Sequence, residues 1–437
     1  MGQSYPKLFL IFLVLAVGVY FSGCAASRGS GSSSTNSNGS GASSSSGSSG
    51  SSSSSGSSSG SGSGTSGSSG GSGGSGASNS FAAGIGGAGQ VSAAKFLFGI
   101  QIPGGTPVPA KVNSDGTLTT AHVNQTTGIN ANSPTNAAID PSGTFLYQAA
   151  QPGIWAYTIN RTTGDITQMP NTPFASSQNF DTIAIDQTGR FVYAYGGGEV
   201  FAYSIQSGTG QLVAVPGSPF MAGPPSQTFG PTNRLAVDQT NKFLYVSAST
   251  GVIGFTIDSN TGALTMISGS PFGSTVKGAY AIVVVPSDHL YETTYSTTPG
   301  GGIYGYSIDP NTGALTAVAG SPFSPNCGNE INMTAPAQGN LMFAAGCGMF
   351  TVNTTTGALT HVANDPGNVG VADWPVFDPA GKLLWLITND VNCWHCDTGV
   401  TAYDVNSTTG ALTAVPNSFF VMQNSFSGAI VSVAITQ

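Results

Sequence analysis

The sequence predicts an all-β fold, a seven-bladed propeller of four-stranded antiparallel blades. A hairpin phrase recurs seven times, a second strand pair lies between its copies, and the two chain ends look like halves of one sheet. The hairpin phrase is clearest in Gly305-Tyr306-Ser307-Ile308-Asp309-Pro310-Asn311-Thr312-Gly313-Ala314-Leu315-Thr316 and in the matching run Gly254 to Thr265. Its anchor glycines are Gly116, Gly164, Gly210, Gly262, Gly313, Gly357 and Gly410, spaced 48, 46, 52, 51, 44 and 53 residues apart. Periods of about 40–50 residues built from short strands belong to propeller blades.

Six copies carry an aromatic seven residues before the anchor glycine: Tyr157, Tyr203, Phe255, Tyr306, Phe350 and Tyr403. Two residues later stands Ile159, Ile205, Ile257, Ile308, Val352 or Val405. That alternation is a strand with one buried face. The Asn/Ser/Thr/Gly cluster after it is turn chemistry, and the glycine supplies positive φ. Five copies end in a related phrase: Thr172-Pro173-Phe174, Ser218-Pro219-Phe220, Ser270-Pro271-Phe272, Ser321-Pro322-Phe323 and Ser418-Phe419-Phe420. Proline places this phrase on an outer sheet edge, where no ladder donor is needed. Its phenylalanine is expected to wedge between neighbouring sheets.

Between the hairpins, Ala137 to Tyr147 and Leu235 to Tyr245 each read as strand, Asp-centred turn, strand. With the hairpin this makes four strands, one blade. Lys95 to Ile100 resembles a second strand with no first strand before it. Ala429 to Ile435 resembles a first strand with nothing after it. Joined, they complete one blade and remove two sheet edges.

Residues 1–23 read as a lipoprotein-type signal peptide, with Lys7, an apolar run from Leu8 to Phe21, and small residues before Cys24. Cys24 is the expected lipidation site. The Ser/Gly-rich stretch 24–90 has no apolar surface to offset chain entropy and is expected to be a disordered tether. A flexible coil of that length spans roughly 40–45 Å. The propeller is assigned to 91–437. The implied location is the bacterial cell envelope, periplasmic or surface-exposed, with the lipid anchor in the membrane.

Ten Lys and Arg against 18 acids, a net charge of −8, exclude a basic phosphate-binding face and a nucleic-acid partner. A monomer is expected. No Gly-rich phosphate loop, nucleophile elbow or dinucleotide fingerprint stands in the sequence.

Cys327, Cys347, Cys393 and Cys396 fall on one predicted rim. In an oxidising compartment two disulfides are the expected state. A thiolate metal site with His395, or a Cys-x-x-Cys redox centre, are the alternatives. The histidines His122, His289 and His361 are expected at the surface, whereas His395 is a candidate acid or base on the rim.

Aligning the inner strands on Asp140, Asp186, Asp238, Val285, Ala335 and Asp378 places Thr135, Asp181, Asn233, Tyr280, Glu330 and Asp373 five residues earlier. These six are expected to ring the channel mouth. Asp181, Glu330 and Asp373 could hold Ca²⁺ through oxygen ligands, or stand as solvated acids. No other cofactor is expected. In a hydrolase, one of these acids would act as general base, with Arg234 steadying an oxyanion.

The blade phrase, an aromatic followed by x-Ile-Asp-x-x-Thr-Gly-x-Leu-Thr-x-Val-x-Gly-Ser-Pro-Phe and later Asp-Pro-x-Gly-x-Phe-Leu-Tyr, resembles the lactonase-type seven-bladed propellers. That family includes 6-phosphogluconolactonase and a carboxymuconate cycloisomerase. The resemblance covers about residues 95–437 and implies the fold. It implies lactone hydrolysis as one activity, although the Pro-His-x-His phrase of its hydrolases is missing from this sequence. The other reading is a scaffold binding a glycan, peptide or protein at the cysteine-bearing rim.

Overall fold

The computed structural model describes residues 96–102, 105–121, 135–224, 232–273, 279–294, 302–323, 332–363, 374–388, 399–421 and 429–436. All of them belong to one compact unit spanning Ser75–Gln437. The described residues form seven antiparallel sheets and no helix. Cys24, the leader and the tether lie outside the described residues.

Blades 2 to 7 each run in chain order from the inside outward. Their innermost strands are Asn136–Ile139, Thr182–Ile185, Leu235–Val237, Ala279–Val285, Met333–Thr334 and Pro375–Phe377. Blade 1 takes its innermost strand, Ala429–Ile435, from the C-terminus and its other three, Phe96–Ile102, Pro107–Val112 and Leu118–Thr120, from the N-terminal side. Leu97 pairs with Ile435, and Phe98 with Ala434. Each innermost strand touches the next, and the seventh touches the first, so the ring closes at seven as the termini implied.

A propeller has no single core. Seven apolar clusters of described residues each span two adjacent blades. The unit of cohesion is visible in the second strand. Phe145, Phe191 and Phe243 lie under Gly210, Gly262 and Gly313 of the next blade. A Cβ on Gly262 would sit 2.4 Å from the Phe191 ring, and that glycine has φ +75°. Glycine is therefore required twice over, for conformation and for space. Two residues on, Tyr147, Tyr193, Tyr245 and Tyr291 donate their hydroxyls to the carbonyls of Gly210, Gly262, Gly313 and Gly357 at 2.7–3.2 Å.

The turn after each innermost strand is organised by a buried aspartate where one is present. Asp186 accepts from the Arg190 and Phe191 amides, each at 2.7 Å, and from the Thr188 hydroxyl. Asp140, Asp238 and Asp378 cap the same turn through backbone amides in blades 2, 4 and 7, and the first two also accept from the Ser142 and Thr240 hydroxyls. These four acids are structural caps.

The Ser-Pro-Phe phrase returns to the blade edge. Phe174, Phe220, Phe272, Phe323 and Phe420 pair with the third strand, beyond the short outer strand. Between the two, the hydroxyls of Ser218, Ser270, Ser321 and Ser418 accept the third-strand amide that the ladder leaves open. The phenylalanines pack half-buried against the inter-blade clusters, as the wedge reading required.

One sequence expectation fails here. His289 is not a surface residue. It replaces the phenylalanine under the next anchor glycine, Gly357, and is 5% exposed. Burial lowers its pKa, and Ser287 sits 3.1 Å from Nδ1. The expectation failed because a lone histidine in a strand carries no signal of the face it occupies. His361 does lie at the exposed outer edge, with Nε2 3.0 Å from the Cys347 carbonyl oxygen. His122 lies outside the described residues.

Candidate functional site

The antiparallel topology sets two rims. Innermost strands begin at one, and the Asp-capped turns and Thr-Gly hairpins lie at the other. Thr135, Asp181 and Asn233 precede the innermost strands of blades 2 to 4, and Tyr280 is the buried second residue of the blade 5 strand, so these four positions form a partial ring at the first rim. Asparagines tie this ring together. Asn136 of blade 2 accepts from the Ile183 amide at 2.8 Å and donates to Thr182 at 3.0 Å. Asn332 of blade 6 accepts from the Asn233 amide of blade 4 at 3.0 Å. This contact skips blade 5 and joins the entry segments of two non-adjacent blades.

Arg234 follows in blade 4, and it is 2% exposed. Its guanidinium lies 5.6 Å from the Tyr280 ring centroid, within cation–π range. Four groups interact with its charge: Asp181, Tyr195, Tyr280 and Glu292. Burial nonetheless lowers the Arg234 pKa. A guanidinium titrates so far above neutrality that it keeps its charge.

Glu292, on the second strand of blade 5, was not singled out by the sequence. It is fully buried, and its Oε1 accepts a 2.6 Å hydrogen bond from the Ser247 hydroxyl of blade 4. Its Oε2 has no hydrogen-bond partner. Burial pushes the carboxyl up to about 7, against the downward pull of Ser247 and Arg234. Asp181 is half-buried, and its pKa is also raised by burial, with Arg234 pulling it back. Tyr195 holds the far side, donating to the Gly223 carbonyl at 2.7 Å.

The site that emerges is a buried guanidinium between a rim aspartate and a near-neutral glutamate. Thr232, two residues before Arg234, adds a buried hydroxyl without a partner. Such a group can dock a carbonyl or carboxylate on the arginine and exchange a proton at neutral pH through the glutamate. Of the sequence candidates, the structure brings Asp181 and Arg234 together. Glu330, Asp373 and His395 lie outside the described residues, so the three-carboxylate Ca²⁺ reading and the His395 acid–base reading are not placed. Among the described residues no cluster of three metal-ligating side chains occurs. Glu292 did leave a trace in the sequence. The second-strand column reads Gln148, Ala194, Val246, Glu292, Ala344 and Leu386, and only one member is ionisable.

Of the cysteines, Cys347 is disulfide-bonded. Cys327, Cys393 and Cys396 lie outside the described residues.

No protein-family model matches the sequence, and no curated protein matches it. Solved structures do share the fold. A Bacteroides uniformis protein provisionally named a 6-phosphogluconolactonase superposes with a TM-score of 0.58 at 16% identity, covering 82% of this chain and all of that one. A Bacteroides fragilis protein of the same provisional name gives 0.56 at 14% identity, covering 80% of this chain and all of that one. A Lactobacillus plantarum protein gives 0.53 at 18% identity, covering 79% and 100%. The chain shares the seven-bladed propeller fold of these structures. At these identities the likeness concerns fold alone, and chemistry has to be argued from the site.

Proposed function

We propose that this chain is a membrane-tethered, extracytoplasmic propeller that binds a small polar ligand at the mouth formed by blades 3, 4 and 5. One observation carries the reading: the buried Arg234 acts electrostatically on the buried Glu292, whose Oε2 has no hydrogen-bond partner. A buried polar atom left unsatisfied costs about 1–3 kcal/mol, and a ligand hydroxyl or amide would recover it. The ligand would carry a carbonyl or carboxylate for the guanidinium and a donor for the glutamate. A short glycan or peptide ending in such a group meets that description. Thermal-shift titration of the full chain with oligosaccharide and peptide panels tests it. Stabilisation is expected from a carbonyl- or carboxylate-bearing member and is lost in Arg234→Gln. No response to any panel member would end the reading.

Lactone hydrolysis is the second reading, and it is favoured by Glu292. A carboxyl near pH 7 suits general-base activation of water, and Arg234 would hold the carbonyl oxygen as negative charge develops. Turnover of a lactone panel, abolished in Glu292→Gln, supports it; an inert wild-type chain overturns it.

Anchoring at Cys24, the tether 24–90 and the envelope location are part of the same proposal. They rest on the leader pattern and the Ser/Gly composition. Labelled fatty acid should enter the wild-type chain and not Cys24→Ser. Pairing of Cys327 with Cys347 and of Cys393 with Cys396 is the proposed disulfide arrangement. Peptide mapping without reduction checks it.

A further inference from the structure

Every seam of the ring puts one side chain under the anchor glycine of the next blade. In six seams that side chain is a hydrocarbon: Phe96, Phe145, Phe191, Phe243, Leu341 or Leu383. In the seventh, between blades 5 and 6, it is His289. This is the one clasp whose charge can change near neutral pH. The imidazole is buried. A Cβ on Gly357 would lie 2.3 Å from its Cδ2 and 2.8 Å from its Nε2, with Val318 Cγ2 also at 2.8 Å. Val285 and Ser307 stand opposite it on the neighbouring strands. The apolar cluster of this seam runs from Val285 and Tyr291 to Phe350 and Val352 of blade 6.

We propose that His289 is an acid-sensitive latch on the seam between blades 5 and 6, closed while the imidazole is neutral and opened when it takes a proton. An imidazolium would have to shed its water to stay under Gly357, and burial disfavours the charged form. Burial accordingly lowers the His289 pKa, while Ser287 and Asp288 pull it back more weakly. Blade 6 brings no compensating charge, because its hairpin residues 353–358 hold no ionisable side chain. The remaining titratable groups of blade 5 are engaged elsewhere. Tyr291 donates its hydroxyl to the Gly357 carbonyl at 2.7 Å, and burial keeps that hydroxyl neutral. Glu292 turns to Ser247 of blade 4, and Asp309 accepts from the Asn311 and Thr312 amides in an exposed turn. The closed seam therefore refuses a proton that an opened, solvated seam accepts. Its contribution is complete above the ordinary histidine value of 6.5 and is lost as pH falls below it. Opening is local: His289 and Tyr291 part from the Gly357 hairpin while the other six clasps, all apolar, are unaffected.

The test is hydrogen exchange of the full chain between pH 8 and 5.5, read by mass spectrometry. The reporter is the hairpin 353–358 over His289, and the reference is the equivalent hairpin 206–211 over Phe145. The ratio of the two exchange rates cancels the intrinsic pH dependence of amide exchange. That ratio is expected to rise towards low pH, by up to about tenfold at pH 5.5, the limit for an opened seam with an ordinary imidazole. In His289→Phe and His289→Leu, which carry the side chains of the other seams, it stays flat. A flat ratio in the wild type overturns the proposal, as does a rise of equal size in either variant. If His289→Phe does not fold, His289→Leu carries the control.

Discussion

Blades 2 to 6 and the arc that closes the ring hold together by different means. Across the first arc, four seams repeat one clasp: an aromatic or His289 under the next anchor glycine, and a tyrosine hydroxyl on that glycine's carbonyl. Across the second, Phe343, Trp385 and Phe98 stand in the tyrosine position and supply no hydroxyl. Blade 1 is held instead by a strand pairing between chain ends, with the Phe96 amide donating to Thr436 Oγ1 at 3.0 Å and the Thr436 amide to the Phe96 carbonyl at 2.9 Å. Repetition stabilises the first arc by many similar local contacts. One long-range contact set closes the second. The difference teaches that variation is tolerated where a seam is released from the clasp.

The sharpest way to break the comparison is to delete residues 429–437. The closing blade loses its innermost strand, and cooperative unfolding by circular dichroism should disappear, a loss of the whole stability of about 5–15 kcal/mol. A truncated chain that still melts cooperatively would mean that the clasped arc stands alone.

Next in size is Glu292→Gln. The folded pKa of about 7 lies above the ordinary 4.5, so the fold holds a proton that the unfolded chain releases. Glu292 therefore supports stability fully below about pH 4.5, and that contribution fades as pH rises towards 7. The total is about 3 kcal/mol. The variant should match wild type near pH 4.5 and exceed it by about that amount at pH 8 in urea titrations. Equal pH profiles would remove the buried ionisable group from the mouth.

Gly262→Ala should cost about 2–4 kcal/mol, since positive φ and the Phe191 ring both oppose a side chain. Gly208→Ala has φ +81° and open space, and should cost about 1 kcal/mol. Comparable losses would show that conformation alone, not the clasp, fixes the anchor glycines.

The smallest contrast sharpens the comparison most finely. Tyr245→Phe removes a 2.8 Å bond to the Gly313 carbonyl and should cost about 1 kcal/mol. Trp385→Phe removes an N–H that bonds to nothing, so it should escape the penalty for an orphaned group, apart from its change in volume.

Much of the fold could be read from the chain because its repeats carry local signals. Gly262, Phe255 and Ile257 announce a turn and a strand face without reference to anything distant. The site was legible only in part. Asp181 and Arg234 stand at aligned strand starts, so repeat spacing found them. Glu292 sits mid-strand, and its neighbours Tyr291 and Thr293 hide which way it points. His289 was misplaced for the same reason: alternation defines two faces but does not say which neighbour covers either.

By itself the sequence determined the period, the turns, the strand faces and the need for both termini in one blade. Glycine conformation and side-chain alternation act over a few residues, so they are written locally. Only the tertiary structure decided that Asp181 and Glu292, from two other blades, both act on the charge of the buried Arg234. Only it could show that a carboxyl there loses its water and titrates near neutrality. Desolvation is a property of everything packed around a group, and no stretch of chain encodes it alone.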